Sequence, residues 1–173
     1  MLTLSTLSIL LVSLGLQAPK DSGTREDLGD GFVKYHTSSY TLELPKEWLV
    51  GELMPWGARS ITPEPKSQTE LGVMTAGVTK QTWDQLYKTS LFFIMRQEPG
   101  KATPFKVKKM PNGYEACSFQ VMNDKGFAKR RYVLLKSQKG EAIALSVIIS
   151  DQKDEKKIAG YFDRMVKTAH IGS

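Results

Sequence analysis

The chain is poor in the residues that most often perform chemistry. Its 173 residues hold one cysteine and two histidines. The lone Cys117 excludes an intrachain disulfide. His36 and His170 stand in no HExxH, HxH or CxxC arrangement, so no zinc site is spelled out. The nucleophile elbow G-x-S-x-G, the phosphate-binding G-x-x-x-x-G-K-[ST] and the dinucleotide fingerprint are all absent. These absences predict a protein with no cofactor and no metal, and no enzyme. Charge is missing from Leu2 to Leu16, and acids are scarce from Lys101 to Lys139.

That second scarcity makes a basic block. Ten basic residues there face two acids, Glu115 and Asp124, a balance of +8. The net charge of the chain is +6, so the remainder is −2. A block of one sign attracts an anionic partner.

The charge-free start is too short for a comfortable membrane span, which needs about 20 apolar residues. It suits the apolar region of a signal peptide. No Lys or Arg precedes it, Pro19 follows the candidate cleavage residue Ala18, and Ser13-Leu14-Gly15 offers small residues instead. Residues 1–18 are therefore expected to be a signal peptide or apolar anchor, which implies an extracytoplasmic protein. A buried or amphipathic N-terminal helix of a cytosolic protein is the alternative. No cysteine follows the segment, so no lipoprotein is expected. Residues 19–31 are polar and Gly-rich and read as a flexible linker. A single domain is expected over residues 32–173, long enough to build a core without staples.

Within it, the alternation of Tyr40-Thr41-Leu42-Glu43-Leu44, ending at Pro45, predicts a strand, paired with another over 32–37. Residues 48–53, 58–62 and 72–79 are further strand candidates. Thr82 and Gln85 form a capping box. The apolar spacing of Trp83, Leu86, Tyr87, Leu91 and Ile94 then predicts a helix to about Arg96, stopped by Pro99-Gly100. A four-strand antiparallel meander follows over 105–110, 114–122, 127–136 and 142–149, with Asn112-Gly113 as a hairpin signal. Residues 142–149 are apolar at nearly every position, which places that strand centrally with both faces covered. A last helix starts near Asp151 with Ile158, Tyr161, Phe162, Met165 and Val166 on one face. Strands and helices segregated in this way predict an α+β fold, an antiparallel sheet flanked by helices.

The strand Tyr40-Thr41-Leu42-Glu43-Leu44 running into Pro45-Lys46-Glu47-Trp48, with the closing helix around Tyr161-Phe162 and Met165-Val166, resembles the PsbP-like superfamily. The resemblance spans about Phe32 to Ile171. It implies an α/β/α sandwich and a binding rather than a catalytic role. The superfamily's partners are unrelated to one another, so no site residue is carried over.

The candidate binding surface comes from the residues themselves. Lys106 and Lys108 alternate with Phe105 and Val107, so the lysines are expected on one side of a strand and the apolar pair against the core. Lys129, Arg130 and Arg131 lie on another strand of the meander and are expected on the same sheet face or edge. Such lysines also protect sheet edges. Trp56, between Pro55 and Gly57, is a candidate loop anchor. Trp48 and Trp83 read as core. His36 beside Thr37, Ser38 and Ser39 reads as a polar strand end and turn. Cys117 shares a strand face with Phe119 and Val121 and reads as a small buried hydrophobe.

The function expected is an exported, non-enzymatic binding or accessory domain at or near a membrane. Its partner is an unknown protein or an anionic membrane surface, with no nucleic acid, and a monomer is expected. The alternatives are a hydrolase or other enzyme whose site is assembled from distant residues, and a small-ligand carrier.

Overall fold

Residues 23–54, 57–97, 100–123 and 126–172 are described by a computed structural model. The expected N-terminal leader over residues 1–18 and the candidate anchor Trp56 lie outside these residues.

Two sheets and two helices make the fold. The smaller sheet contains β1 (Thr24–Asp27), β2 (Phe32–His36), β3 (Tyr40–Pro45) and β12 (His170–Ile171), in that order across the sheet. The larger sheet contains β4 (Leu49–Val50), β5 (Ala58–Thr62), β6 (Glu70–Val78), β7 (Lys101–Ala102), β8 (Lys106–Lys109), β9 (Glu115–Met122), β10 (Arg130–Lys136) and β11 (Glu141–Ile148). Its order is β4-β5-β6-β11-β10-β9, and both β7 and β8 pair with β9 at the far edge. Every pairing is antiparallel. Helix α1 spans Trp83–Gln97 and α2 spans Glu155–Thr168.

The apolar run in β11 puts Ala142 to Val147 out of water between β6 and β10. Its alternate residues then feed two cores. Ala144 of β11 joins Phe119, Tyr132 and Leu134 beneath Leu86 and Ile94 of α1. Ile143, Leu145 and Val147 join Leu135 on the opposite face, under α2 and the smaller sheet. Val33, Leu42 and Leu44 of that sheet meet Ile158, Phe162 and Met165 of α2 there. The layers are α1, the larger sheet, then α2 beside the smaller sheet, which is the expected α+β sandwich.

Local chemistry fixes both helix starts. The Thr82 N–H donates to Gln85 Oε1 at 2.9 Å, and the Gln85 N–H donates to Thr82 Oγ1 at 3.3 Å, the reciprocal box expected. Asp151 Oδ1 accepts from the Lys153 N–H at 2.9 Å and opens a 3-10 turn, Gln152–Asp154, that leads into α2. Arg164 ties α2 to the smaller sheet. Its guanidinium meets Glu43 Oε2 at 2.6 Å and Asp30 Oδ2 at 2.8 Å, and lies 3.8 Å from the Phe32 ring centre.

Three expectations change. Thr24–Asp27, within the segment expected to be a linker, is a strand: it pairs with β2 through its backbone although all four side chains are exposed. The strand expected over 48–53 contracts to Leu49–Val50. Val107 is not in the core but 45% exposed, because β8 is an outermost strand and α1 does not reach over it. Phe105, its expected partner in the core, is half-buried against Tyr87 with ring centres 5.0 Å apart.

Candidate functional site

The register of the larger sheet decides which basic residues can act together. Lys106 sits opposite Ser118, and Lys108 opposite Ala116. Across β9, Ser118 faces Val133, Ala116 faces Leu135, and Gln120 faces Arg131. Directly paired residues share a sheet face. Lys106, Lys108 and Arg131 therefore lie on the face that carries α2, which contributes Phe162, Asp163 and Val166 to the same hollow. Together they bound a groove of about 300 Å³. One wall is the lysine strand, the other is α2, and the floor is the exposed part of β9 and β10.

The wall segment before β8 is pinned at Thr103. The Thr103 N–H donates to Gln120 O at 2.9 Å, and its Oγ1 accepts from the Gln120 N–H at 3.0 Å. Tyr87 Oη donates to Thr103 O at 2.8 Å from α1. These bonds fix where β8 begins and so where Lys106 and Lys108 stand.

Arg131 is positioned by α2. Its Nη2 meets Glu155 Oε1 at 2.8 Å, and the pair is largely shielded, with side chains 22% and 33% exposed. Glu155 is the first residue of α2, where a carboxylate also answers the helix dipole. Arg131 Nε is buried with no hydrogen-bond partner among the described residues. A buried unpaired donor costs roughly 1–3 kcal/mol, so this guanidinium gains from a further acceptor.

Arg130 separates from this group. Arg130 pairs with Val121, whose neighbours face α1, so its side chain starts from the opposite face of the sheet. Adjacent residues on a strand always diverge this way. Lys129 precedes β10, and its backbone carbonyl accepts from the Ile149 N–H at 2.9 Å. Of the five cations expected together, three line the groove and Arg130 starts from the other face. Sequence reasoning named the three but missed Ser118, Gln120 and Asp163. Parity along the paired strands could have found the first two; Asp163 becomes relevant only through the docking angle of α2.

The histidines have structural partners. His36 Nδ1 lies 3.2 Å from Thr41 Oγ1, and its Nε2 lies 3.6 Å from Glu26 Oε2. This hydroxyl–imidazole–carboxylate row resembles a catalytic arrangement in composition. However, His36 and Glu26 are 39% and 65% exposed on an edge strand pair, and none of the described cavities is lined by His36. His170 Nδ1 lies 3.0 Å from Tyr114 Oη, which accepts from the Ile171 N–H at 3.0 Å. Cys117 is buried, and burial pushes its thiol up to about 11, far from a reactive thiolate. Among the described residues no group of three or more His, Cys, Asp and Glu side chains is placed to hold a metal. No helix among them is long and apolar enough to cross a membrane.

The fold is an α+β sandwich of the PsbP-like type. The solution structure of cyanobacterial PsbP (CyanoP) from Synechocystis is similar to this chain with a TM-score of 0.55 and 12% identity, covering 91% of this chain and 95% of that one. The crystal structure of LpqN, described as involved in cell envelope biogenesis of Mycobacterium tuberculosis, aligns with a TM-score of 0.48 and 12% identity, covering 90% and 93%. No family model matches the chain, and no curated protein sequence matches it.

Proposed function

We propose that this chain is an exported, non-enzymatic accessory domain that works at or near a membrane and holds an anionic partner in the groove beside α2. The convergence of Lys106, Lys108 and Arg131 on that groove carries the reading. The charge-free segment from Leu2 to Leu16 supports export, and the lack of any catalytic motif supports a binding role. Against an enzyme reading, His36 is exposed and lines none of the described cavities.

Vesicle co-sedimentation of the full chain tests it. The protein should pellet with phosphatidylglycerol-containing vesicles and be released by salt, since exposed charges are screened within about 10 Å at 0.1 M. Lys106→Glu with Lys108→Glu, both at exposed edge positions, should abolish pelleting at low salt. Lys139→Glu, an exposed change of the same kind in the hairpin before β11, should leave it largely intact. Retention that ignores both salt and the double variant would refute the assignment of the surface.

A further inference from the structure

The groove is not a flat basic patch, and its shape and lining restrict what it takes. Its floor and α2 wall are apolar where Val133, Phe162 and Val166 meet. Its cations stand on the lysine wall and at Arg131, while Asp163 stands among the lining residues as an anion. Three cations against Asp163 leave a surplus of two, and Glu155, already bonded to Arg131, reduces it to one. A single negative charge is matched; a second would meet Asp163 without a counter-charge. The volume of about 300 Å³ is at the small end of ligand sites, which run from roughly 300 to 1,000 Å³.

We infer that the groove binds one amphipathic monoanion, a carboxylate or phosphate diester-type head carrying a short hydrocarbon tail. The head lies between Lys106, Lys108 and Arg131, and the tail lies on Val133, Phe162 and Val166. Ser118 and Gln120 of β9, between the lysine strand and Arg131, offer hydrogen bonds to the head. The ordering follows from desolvation: the tail excludes water from the floor, and the lower local dielectric strengthens each contact of the head with the cations. The inference rests on the groove being the binding site proposed above, and adds that it recognises a head and a tail together.

Calorimetric titration of the full chain with acetate, hexanoate and octanoate separates the possibilities, with octanol and inorganic phosphate as the tail-only and head-only probes. Affinity should rise about four-fold per added methylene until the groove is full. Octanol and phosphate should each bind at least ten-fold more weakly than octanoate. Lys106→Gln with Lys108→Gln should weaken octanoate at least ten-fold. Less than two-fold gain per methylene, equal binding of octanol, or equal binding of phosphate would each overturn the inference. So would an unchanged octanoate affinity in the double variant. Monomeric octanoate and phosphatidylglycerol vesicles, compared in parallel, distinguish a free acid from a lipid head as the source. Retention on vesicles with no saturable octanoate binding overturns the inference and leaves the anionic-partner reading standing; loss of both overturns both.

Discussion

Cys117 shows how the same side chain can be chemically silent and energetically informative. It sits on β9 against Tyr87, Phe119 and Leu134 with no exposed surface. Burial disfavours the thiolate, so the folded thiol titrates at about 11 rather than at its ordinary value near 9. Between those two values the unfolded chain has lost a proton that the folded chain keeps. Stability therefore falls as pH rises through this window, by at most about 1.4 kcal/mol per pH unit. Urea midpoints at pH 8 and pH 10 should move closer together in Cys117→Ala than in the parent chain. An identical pH dependence in the two proteins would show that the thiol does not carry this slope. The burial itself was legible: Cys117 alternates with Phe119 and Val121 in a strand-period run, and a small apolar role follows from that pattern alone. The fates of Arg130 and Arg131 were less legible, since two adjacent arginines look alike until the strand's register assigns each a face.

At the level of elements, legibility tracked how much apolar surface each one buries. β11, α1 and α2 are written in unbroken or 3.6-period apolar patterns, and they form close to where those patterns lie. β1 is not, because TRED buries no side chain and gains its place from backbone pairing with β2. A two-residue strand such as β12 carries no periodicity at all. What holds β12 is instead a side chain from elsewhere: Tyr114 Oη accepts from the Ile171 N–H and faces His170 Nδ1, while Asn112 Nδ2 donates to Ala169 O at 3.3 Å. Tyr114→Phe should release this clip at a cost of about 0.5–1.5 kcal/mol. Hydrogen exchange at Ile171 should then speed up while the amides of β11 stay protected. Equal protection of Ile171 in the variant would mean that pairing with β3 alone suffices.

Across the whole molecule, the groove is the feature that sequence could least supply. Lys106, Lys108 and Arg131 were all recognisable as basic strand residues, but their meeting depends on β8 pairing outside β9 and on α2 leaving part of that face uncovered. Arg164 is the fastening that sets α2 against the smaller sheet. Its bonds to Glu43 hold its charge above the ordinary guanidinium range, with Asp30 adding to the effect. Arg164→Ala should cost roughly 1–3 kcal/mol in urea unfolding. Arg164→Lys should recover only part of it, because an ammonium cannot fork between two carboxylates while stacking on Phe32. Full recovery by lysine would reduce the contact to simple charge.

The smaller sheet is assembled from opposite ends of the described chain, with β12 laid against β3 and α2 covering both. During synthesis β2 and β3 leave the ribosome early, yet their apolar faces at Val33, Leu42 and Leu44 have no α2 to bury them until the last described elements emerge. The strands from β8 to β11 pair as contiguous hairpins and precede α2 in the chain. Closure of the smaller sheet thus waits on α2 and β12, which follow every strand of the larger sheet along the chain.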